Sequence, residues 1–272
     1  MKILFSEAQP DYSRYIFPYA IWAVPETGEK PSELFNAGFL PSSRYLDRFY
    51  LCRQIRVDLA AFAPSSENRR ILRKGQGVRV DLVPRAQFDY TPARRQFFKT
   101  YADIKFGHEI MTFERLDSLF STPIISHLLV FTDHASGKEL GVATLYLEDS
   151  ALAYYYYAFY DLNYFSRNLG MFMMTSAAVE LAARGIRHLY LGTCYSDNAL
   201  YKTQFAGAQF FTGFRWSDNL KELKFQLHRG TENPGKHLLE IEAYRDQFYA
   251  GDLANITQAS AFTVKLPAAP PP

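Results

Sequence analysis

The sequence is short of cysteine, with 2 in 272 residues, Cys52 and Cys194, far apart along the chain. That excludes a disulfide scaffold and any all-cysteine zinc or iron–sulfur site within one chain, and it suits a reducing cytoplasm. Long apolar runs are missing too. Nothing approaches the roughly 18 uninterrupted apolar residues of a membrane span, and the apolar run at residues 3–5 is too short for a signal peptide. Charge of one sign is also scarce. Basic residues number 30 and acidic residues 28, a net charge of +2, so contact with a polyanion needs a local patch. The 6 histidines show no metal-ligand spacing, and no Ser-His-Asp hydrolase signature is present. Aromatic residues are abundant: 23 Phe and 19 Tyr dominate a 16% aromatic fraction. With 48% hydrophobic residues the composition excludes disorder for most of the chain.

Patterning predicts the elements. PSELFNAGF (31–39) reads as a short helix capped by Ser32 and ended by Gly38. RQIRVDL (53–59) and VRVDLV (78–83) alternate as strands around a basic helix, SSENRRILRK, that Gly75 ends. Residues 91–106 carry Phe97, Phe98, Tyr101 and Ile104 on one helical side, and 117–122 read as a short helix. HLLVFTD (127–133), ELGVATLYLED (139–149) and ALAYYYYAFY (151–160) read as three consecutive strands. The clearest helix is 166–184, stopped by Gly185; strands are expected at 186–192 and 208–216, and a late helix from Pro234 to about Tyr249. The expected organisation is an N-terminal module (1–84), a larger central domain (85–230), a C-terminal helix (231–258) and a flexible tail (259–272).

Antiparallel strands followed by strand, helix and strand predict an α+β fold with a mixed sheet. The order in 151–192, with a glycine-containing turn before the helix, fits a Gcn5-type (GNAT-like) acyltransferase core. That core holds an acyl carrier's pyrophosphate at the helix N-terminus, where free N–H groups and the dipole favour anions.

Four blocks, in order, resemble the aminoacyl-tRNA–protein transferases, the arginyl and bacterial leucyl transferases of N-end-rule degradation. They are PSELFNAGFLPSSR (31–44), CRQIRVDLAAFAPSSENRRILRK (52–74), FYDLNYFSRNLGMF (159–172) and HLYLGTCY with LYKTQF (188–205). The likeness spans roughly residues 10–216. The family's N-terminal cysteine cluster is largely absent. Phe17-Pro18-Tyr19 stands where Cys-Pro-Tyr would, and only Cys52 remains of the second group, with Phe49 three residues before it. One thiolate cannot build a four-ligand site, so the chain reads as a divergent member with no metal and no cofactor. A packed cluster of Phe17, Phe49 and Cys52 is the expected substitute.

The resemblance implies a cytoplasmic, membrane-free enzyme that moves an amino acid from aminoacyl-tRNA to the amine of a protein or peptide. The ester is already activated. The site must hold amine and carbonyl close, stabilise the oxyanion and accept a proton, with no covalent nucleophile. Asp161 matches the family's Phe-Asp motif and is expected to orient or deprotonate the amine; Tyr195 and Lys202 are expected to orient the aminoacyl end. Arg167, Asn168 and Gly170 at the helix start are candidates for the tRNA end. Strand alternation puts Tyr155 and Tyr157 on one face, where phenols can stack on a base. Arg69, Arg70 and Arg73, with Lys74, Arg79, Arg94, Arg95 and Lys99, are candidates for tRNA phosphates. Two rivals stay open: an acyl-CoA-dependent acyltransferase, and a non-catalytic binder of tRNA or peptide termini.

Overall fold

In the computed structural model, which describes residues 1–14, 16–164, 168–232 and 235–263, the chain builds two sheets. The smaller contains β1 (Lys2–Glu7), β2 (Tyr19–Val24), β3 (Phe39–Pro41) and β4 (Phe49–Leu51) in the order β1-β2-β4-β3, with α1 (Pro31–Asn36) between β2 and β3. Pro31 opens α1, where its missing N–H costs nothing. The expected Ser32 cap is not formed: Lys30 is the cap residue, and the Ser32 N–H donates to the Glu148 carboxylate at 3.1 Å.

The larger sheet begins with β5 (Gln54–Asp58), α2 (Ser66–Lys74) and β6 (Val78–Pro84). Then come α3 (Pro92–Phe106), α4 (Phe113–Phe120), β7 (His127–Asp133), β8 (Glu139–Glu148) and β9 (Leu152–Tyr160). α5 (Leu169–Ala183), β10 (His188–Thr193), β11 (Ala208–Phe211) and β12 (Trp216–Ser217) complete it, before α6 (Leu220–Glu232), α7 (Glu242–Tyr249) and α8 (Leu253–Ala259). The strand order is β12-β11-β5-β10-β9-β8-β7-β6. Among the described residues β9 and β10 are the one parallel pair of neighbours, joined by α5 as a parallel pair requires. The α+β class and the mixed sheet with helices are as expected.

The expected boundary at Pro84 falls inside the larger sheet. β5 lies between β11 and β10, and β6 forms the far edge. Alternation identifies a strand, but its long-range partner is not written in the segment itself.

The helix α2 is locally encoded. Its capping box has the Asn68 N–H donating to Ser65 Oγ and the Ser65 N–H donating to Asn68 Oδ1, both at 3.1 Å. Other boundaries differ from expectation. α4 begins at Phe113 rather than 117, and the run 208–216 divides into β11 and β12. The anticipated helix start at Pro234 and most of the 259–272 tail lie outside the described residues. α6 is an element the patterning does not predict. Its buried Glu222 accepts hydrogen bonds from Tyr244 at 2.7 Å, Tyr249 at 3.0 Å and Ser217 at 2.7 Å, and pairs with Arg215 at 2.9 Å. This satisfied charge ties α6 and α7 to β12.

Alternation sorts the larger sheet's side chains between two cores. Leu129, Phe131, Leu145, Ala153, Tyr155 and Leu189 pack with α5 and α2. Leu128, Val130, Val142, Tyr154, Phe159 and Tyr190 pack with α1, α3, α4 and the smaller sheet. Phe49 and Cys52 join the second core, but Phe17 is 44% exposed and is not part of that cluster. On α3, Phe98 and Tyr101 are buried while Ile104, expected beside them, faces solvent.

Candidate active site

β9 and β10 pair over three registers only, Leu152–His188, Ala153–Leu189 and Tyr154–Tyr190. Each strand then bulges. Tyr156 is the extra residue in β9, between the pairs Leu145–Tyr155 and Thr144–Tyr157. Leu191 is the extra residue in β10, followed by Gly192 at φ +81, a conformation that favours glycine. Bulges raise local twist and end pairing, so the strands part. A cavity of about 810 Å³ opens between them, in front of the N-terminus of α5.

The bulge also overturns the expected strand face. Tyr155 is buried in the core under α5, whereas Tyr157 lies with Tyr154 and Tyr156 on the α3 side. Both still line the cavity, joined by Tyr101 and Phe106 from α3, Tyr160 from the end of β9, and Tyr201. Burial pushes the Tyr101, Tyr155 and Tyr201 phenols up from their ordinary value. At neutral pH they are uncharged stacking surfaces and hydrogen-bond donors, not bases. Leu169, Met171, Met174 and Leu191 supply an apolar part.

The helix start comes close to the sheet at Gly170. A Cβ on Gly170 would lie 2.8 Å from the Tyr160 hydroxyl oxygen. The glycine therefore makes room for a phenol of the protein itself. Asn168 is the α5 cap residue and makes no side-chain cap. The first-turn N–H groups have no intrahelical acceptor, and the cavity faces them.

Lys202 lines the cavity, and its Nζ donates to the Thr193 carbonyl at 2.8 Å. Burial lowers its pKa from the ordinary lysine value. Lys105 is the second cation, and no carboxylate lines the cavity among the described residues. The positive helix end and two ammonium groups favour a phosphate or a developing oxyanion.

Asp161 does not line the cavity. Its carboxylate meets Lys138 at 2.8 Å and accepts the Asn163 N–H at 2.9 Å. The Lys138 ammonium holds its carboxyl below the ordinary range, which weakens it as a proton acceptor. Tyr195 also stands outside the lining: its hydroxyl accepts the Arg53 N–H at 2.8 Å, and the Arg53 guanidinium sits 4.8 Å over its ring. Arg167 lies outside the described residues. Arg69, Arg70 and Arg73 are on α2, away from the cavity lining, and Glu67 binds Arg70 at both carboxylate oxygens. Arg79, Arg94 and Arg95 pair with Asp81, Glu139 and Asp117, and Lys99 with Asp103. Among the described residues, the basic side chains of α2 that form no ion pair are Arg69, Arg73 and Lys74.

A second cavity, of about 520 Å³, is not legible in the sequence. Arg44, Arg48, Glu114 and Arg115 line it, and Tyr156 belongs to both cavities. Each arginine reads alone as a surface charge; the β3–β4 connection and α4 bring them together. Cys52 and Cys194 are free and buried, and burial pushes the Cys52 thiol up to about 12. Among the described residues no three His, Cys, Asp or Glu side chains form a metal-binding group, and no helix is long and apolar enough to cross a membrane.

This chain is similar to bacterial aspartate/glutamate leucyltransferases. The Ruegeria pomeroyi protein of that name is 26% identical over 205 residues, covering 70% of this chain and 73% of its own. The Pseudomonas paraeruginosa protein is 26% identical over 197 residues, covering 68% and 81%. Another from Cereibacter sphaeroides is matched over 62% of its length, less than two thirds. No protein-family model matches. Similar solved structures include FemX, with a TM-score of 0.43 at 11% identity over 72% of this chain and 69% of that one. A GCN5-related N-acetyltransferase from Sphaerobacter thermophilus has a TM-score of 0.36 at 14% identity over 66% and 52%.

Proposed function

We propose that this protein transfers an amino acid from aminoacyl-tRNA to the amine of a protein or peptide acceptor. The observation that carries the reading is the first cavity, which among the described residues has aromatic walls, two lysines, a helix N-terminus and no carboxylate, in a chain similar to leucyltransferases. The phenols are surfaces on which the terminal adenine stacks. The helix end and Lys105 suit its phosphates. The apolar part, with no acid to pair a guanidinium, fits an aliphatic donor residue, leucine in the relatives' name.

In the reaction the acceptor nitrogen attacks the ester carbon. The C–N bond forms, the C–O bond to the ribose breaks, and the proton lost by the amine ends on the ribose hydroxyl. Lys202 offsets the oxyanion charge, in a site where burial strengthens that interaction. Asp161 positions the turn after β9 through Asn163, and Tyr195 braces the start of β5 through Arg53. The activated ester supplies the driving force, so the reading needs no metal or prosthetic group. A charged-tRNA donor fits a cytoplasmic reaction, and an N-terminal amine as acceptor fits N-end-rule tagging.

The test is incubation with tRNA carrying labelled amino acids and with peptides of varied N-termini. Label moving to peptide supports the reading and identifies both substrates. Binding of charged tRNA without transfer of label, under conditions where a leucyltransferase relative works, overturns it.

A further inference from the structure

Arg53, immediately before β5, and Arg229, in the last turn of α6, are both half-buried. Among the described residues neither forms an ion pair; Asp197, whose charge acts on Cys194 nearby, is engaged by His228 at 3.1 Å. The protein holds one edge of the Arg53 guanidinium. Nε donates to the Cys194 carbonyl at 2.7 Å, and Nη1 donates to the Gln226 carbonyl at 3.1 Å and to Gln226 Oε1 at 3.3 Å. Gln226 and Arg229 lie three apart on α6 and share a helix face. Among the described residues three donors there lack an acceptor. Gln226 is 4% exposed and its Nε2 has no partner, Arg229 Nη1 is buried and has none, and no bond of Arg53 uses Nη2. A buried donor left unpaired costs its full desolvation. Burial lowers the pKa of both guanidinium groups, and the Arg229 charge adds a smaller push on Arg53. Tyr195 lies against both: its ring is 4.8 Å from the Arg53 guanidinium and feels the Arg229 charge, and at 58% exposed it leaves this end open to solvent. The cluster adjoins the first cavity, because Thr193 lines that cavity and Cys194, whose carbonyl Arg53 binds, is the next residue.

We propose that Arg53, Gln226 and Arg229 form a phosphate-binding site beside the first cavity and outside its lining. A cluster of donors with two positive charges and no acid selects an anion. A carboxylate is gripped by one guanidinium through two parallel N–H bonds, and Nε and Nη1 of Arg53 are already committed to the protein. The remaining donors come singly from three side chains on two elements. That suits the several acceptor oxygens of a phosphate, whose charge the two guanidinium groups match. Free inorganic phosphate and a nucleic-acid phosphodiester present the same chemistry. The neighbouring cavity favours a phosphodiester of the donor's terminal nucleotides. That assignment rests on the transferase reading; the preference for phosphate does not.

The experiment follows thermal unfolding of the full chain in a zwitterionic buffer with sodium phosphate, acetate or chloride at equal ionic strength. Phosphate in excess is expected to raise the midpoint by about 2–4 °C over chloride, and acetate to leave it where chloride does. Arg229→Met keeps an apolar stem and removes the unpaired charge. In chloride this variant is expected to unfold at a higher temperature than the parent, because a buried charge without a partner is destabilising. It is also expected to lose the phosphate shift. A merely structural arginine would lower the midpoint when replaced. A parent indifferent to phosphate overturns the proposal. So does a phosphate shift that persists in the variant, or an acetate shift of equal size. Fluorescence anisotropy with a dye-labelled cytidine-cytidine-adenosine trinucleotide and its uncharged methylphosphonate analogue separates the two sources. The diester is expected to bind at least about tenfold more tightly than the analogue, and Arg229→Met to erase the difference. If phosphate shifts the midpoint but the two trinucleotides bind alike, the site holds free phosphate and the assignment to the donor falls. If both results are as expected but no label moves from charged tRNA, the site stands and the transferase reading falls.

Discussion

The Lys202 ammonium donates to the Thr193 carbonyl at the end of β10, 2.8 Å away. One main-chain acceptor leaves its other N–H bonds for a ligand in the cavity. Lys202→Met keeps the stem and removes the charge. Loss of one preorganised oxyanion donor costs about 10²–10³ in rate, so single-turnover transfer is expected to fall by that factor. Binding of uncharged tRNA is expected to change less than about threefold, since the lysine acts on the oxyanion rather than on the ground state. Equal rates in both proteins would remove Lys202 from the chemistry.

Gly170 faces the Tyr160 hydroxyl across 2.8 Å from where a Cβ would stand. Gly170→Ala gains about 1 kcal/mol of helix propensity and forces the phenol aside. The two effects oppose in stability, so the urea midpoint is expected to shift by little. The site has no such compensation, and the KM for aminoacyl-tRNA is expected to rise several-fold. Unchanged KM values would mean that the Tyr160 position is irrelevant to the donor.

Among the described residues Arg69, Arg73 and Lys74 on the exposed basic face of α2 form no ion pair, whereas Glu67 already holds Arg70. The triple alanine variant at the first three positions is expected to weaken tRNA binding. The slope of log affinity against log salt is expected to fall by about 0.7–0.9 for each phosphate that the variant no longer neutralises. A parallel displacement at constant slope would place the phosphates elsewhere.

His188, at the start of β10, has its pKa pushed down from 6.5 to about 4, by burial first and then by Arg56, against an opposing pull from Asp58, with Arg187 adding the smallest push. Between these values the unfolded chain binds a proton that the folded chain refuses, so stability rises with pH across that window. The contribution is complete above about 6.5 and is lost as pH falls toward about 4. His188→Asn is expected to flatten the pH dependence of the urea midpoint between pH 6.5 and 4. A variant with the parent's slope would show that other groups govern it.

Ser65 and Asn68 lie three apart, and a capping box needs nothing more distant, so α2 is legible in the sequence to the residue. The positions of Asn168 and Gly170 at a helix start and of Lys202 after a strand are legible too, because these are local features, whereas the close approach at Gly170 is to Tyr160 and not legible. The four consecutive tyrosines of β9, Tyr154 to Tyr157, mislead. Alternation assumes an unbroken ladder, and the bulge at Tyr156 depends on β8 opposite. Asp161 reads as a base because its motif says nothing of Lys138, 23 positions away and 2.8 Å distant.

By itself the sequence determined most of the elements, the cap of α2 and the lack of cysteines for a four-thiolate centre, because each depends on composition or on neighbours within a turn or a strand. Tertiary structure alone decided that β5 enters the larger sheet, that β9 and β10 part to form the first cavity, and that Arg44, Arg48 and Arg115 share one cavity. These depend on pairing and packing between segments tens of residues apart, where many registers are open to a short strand and only the assembled core selects one.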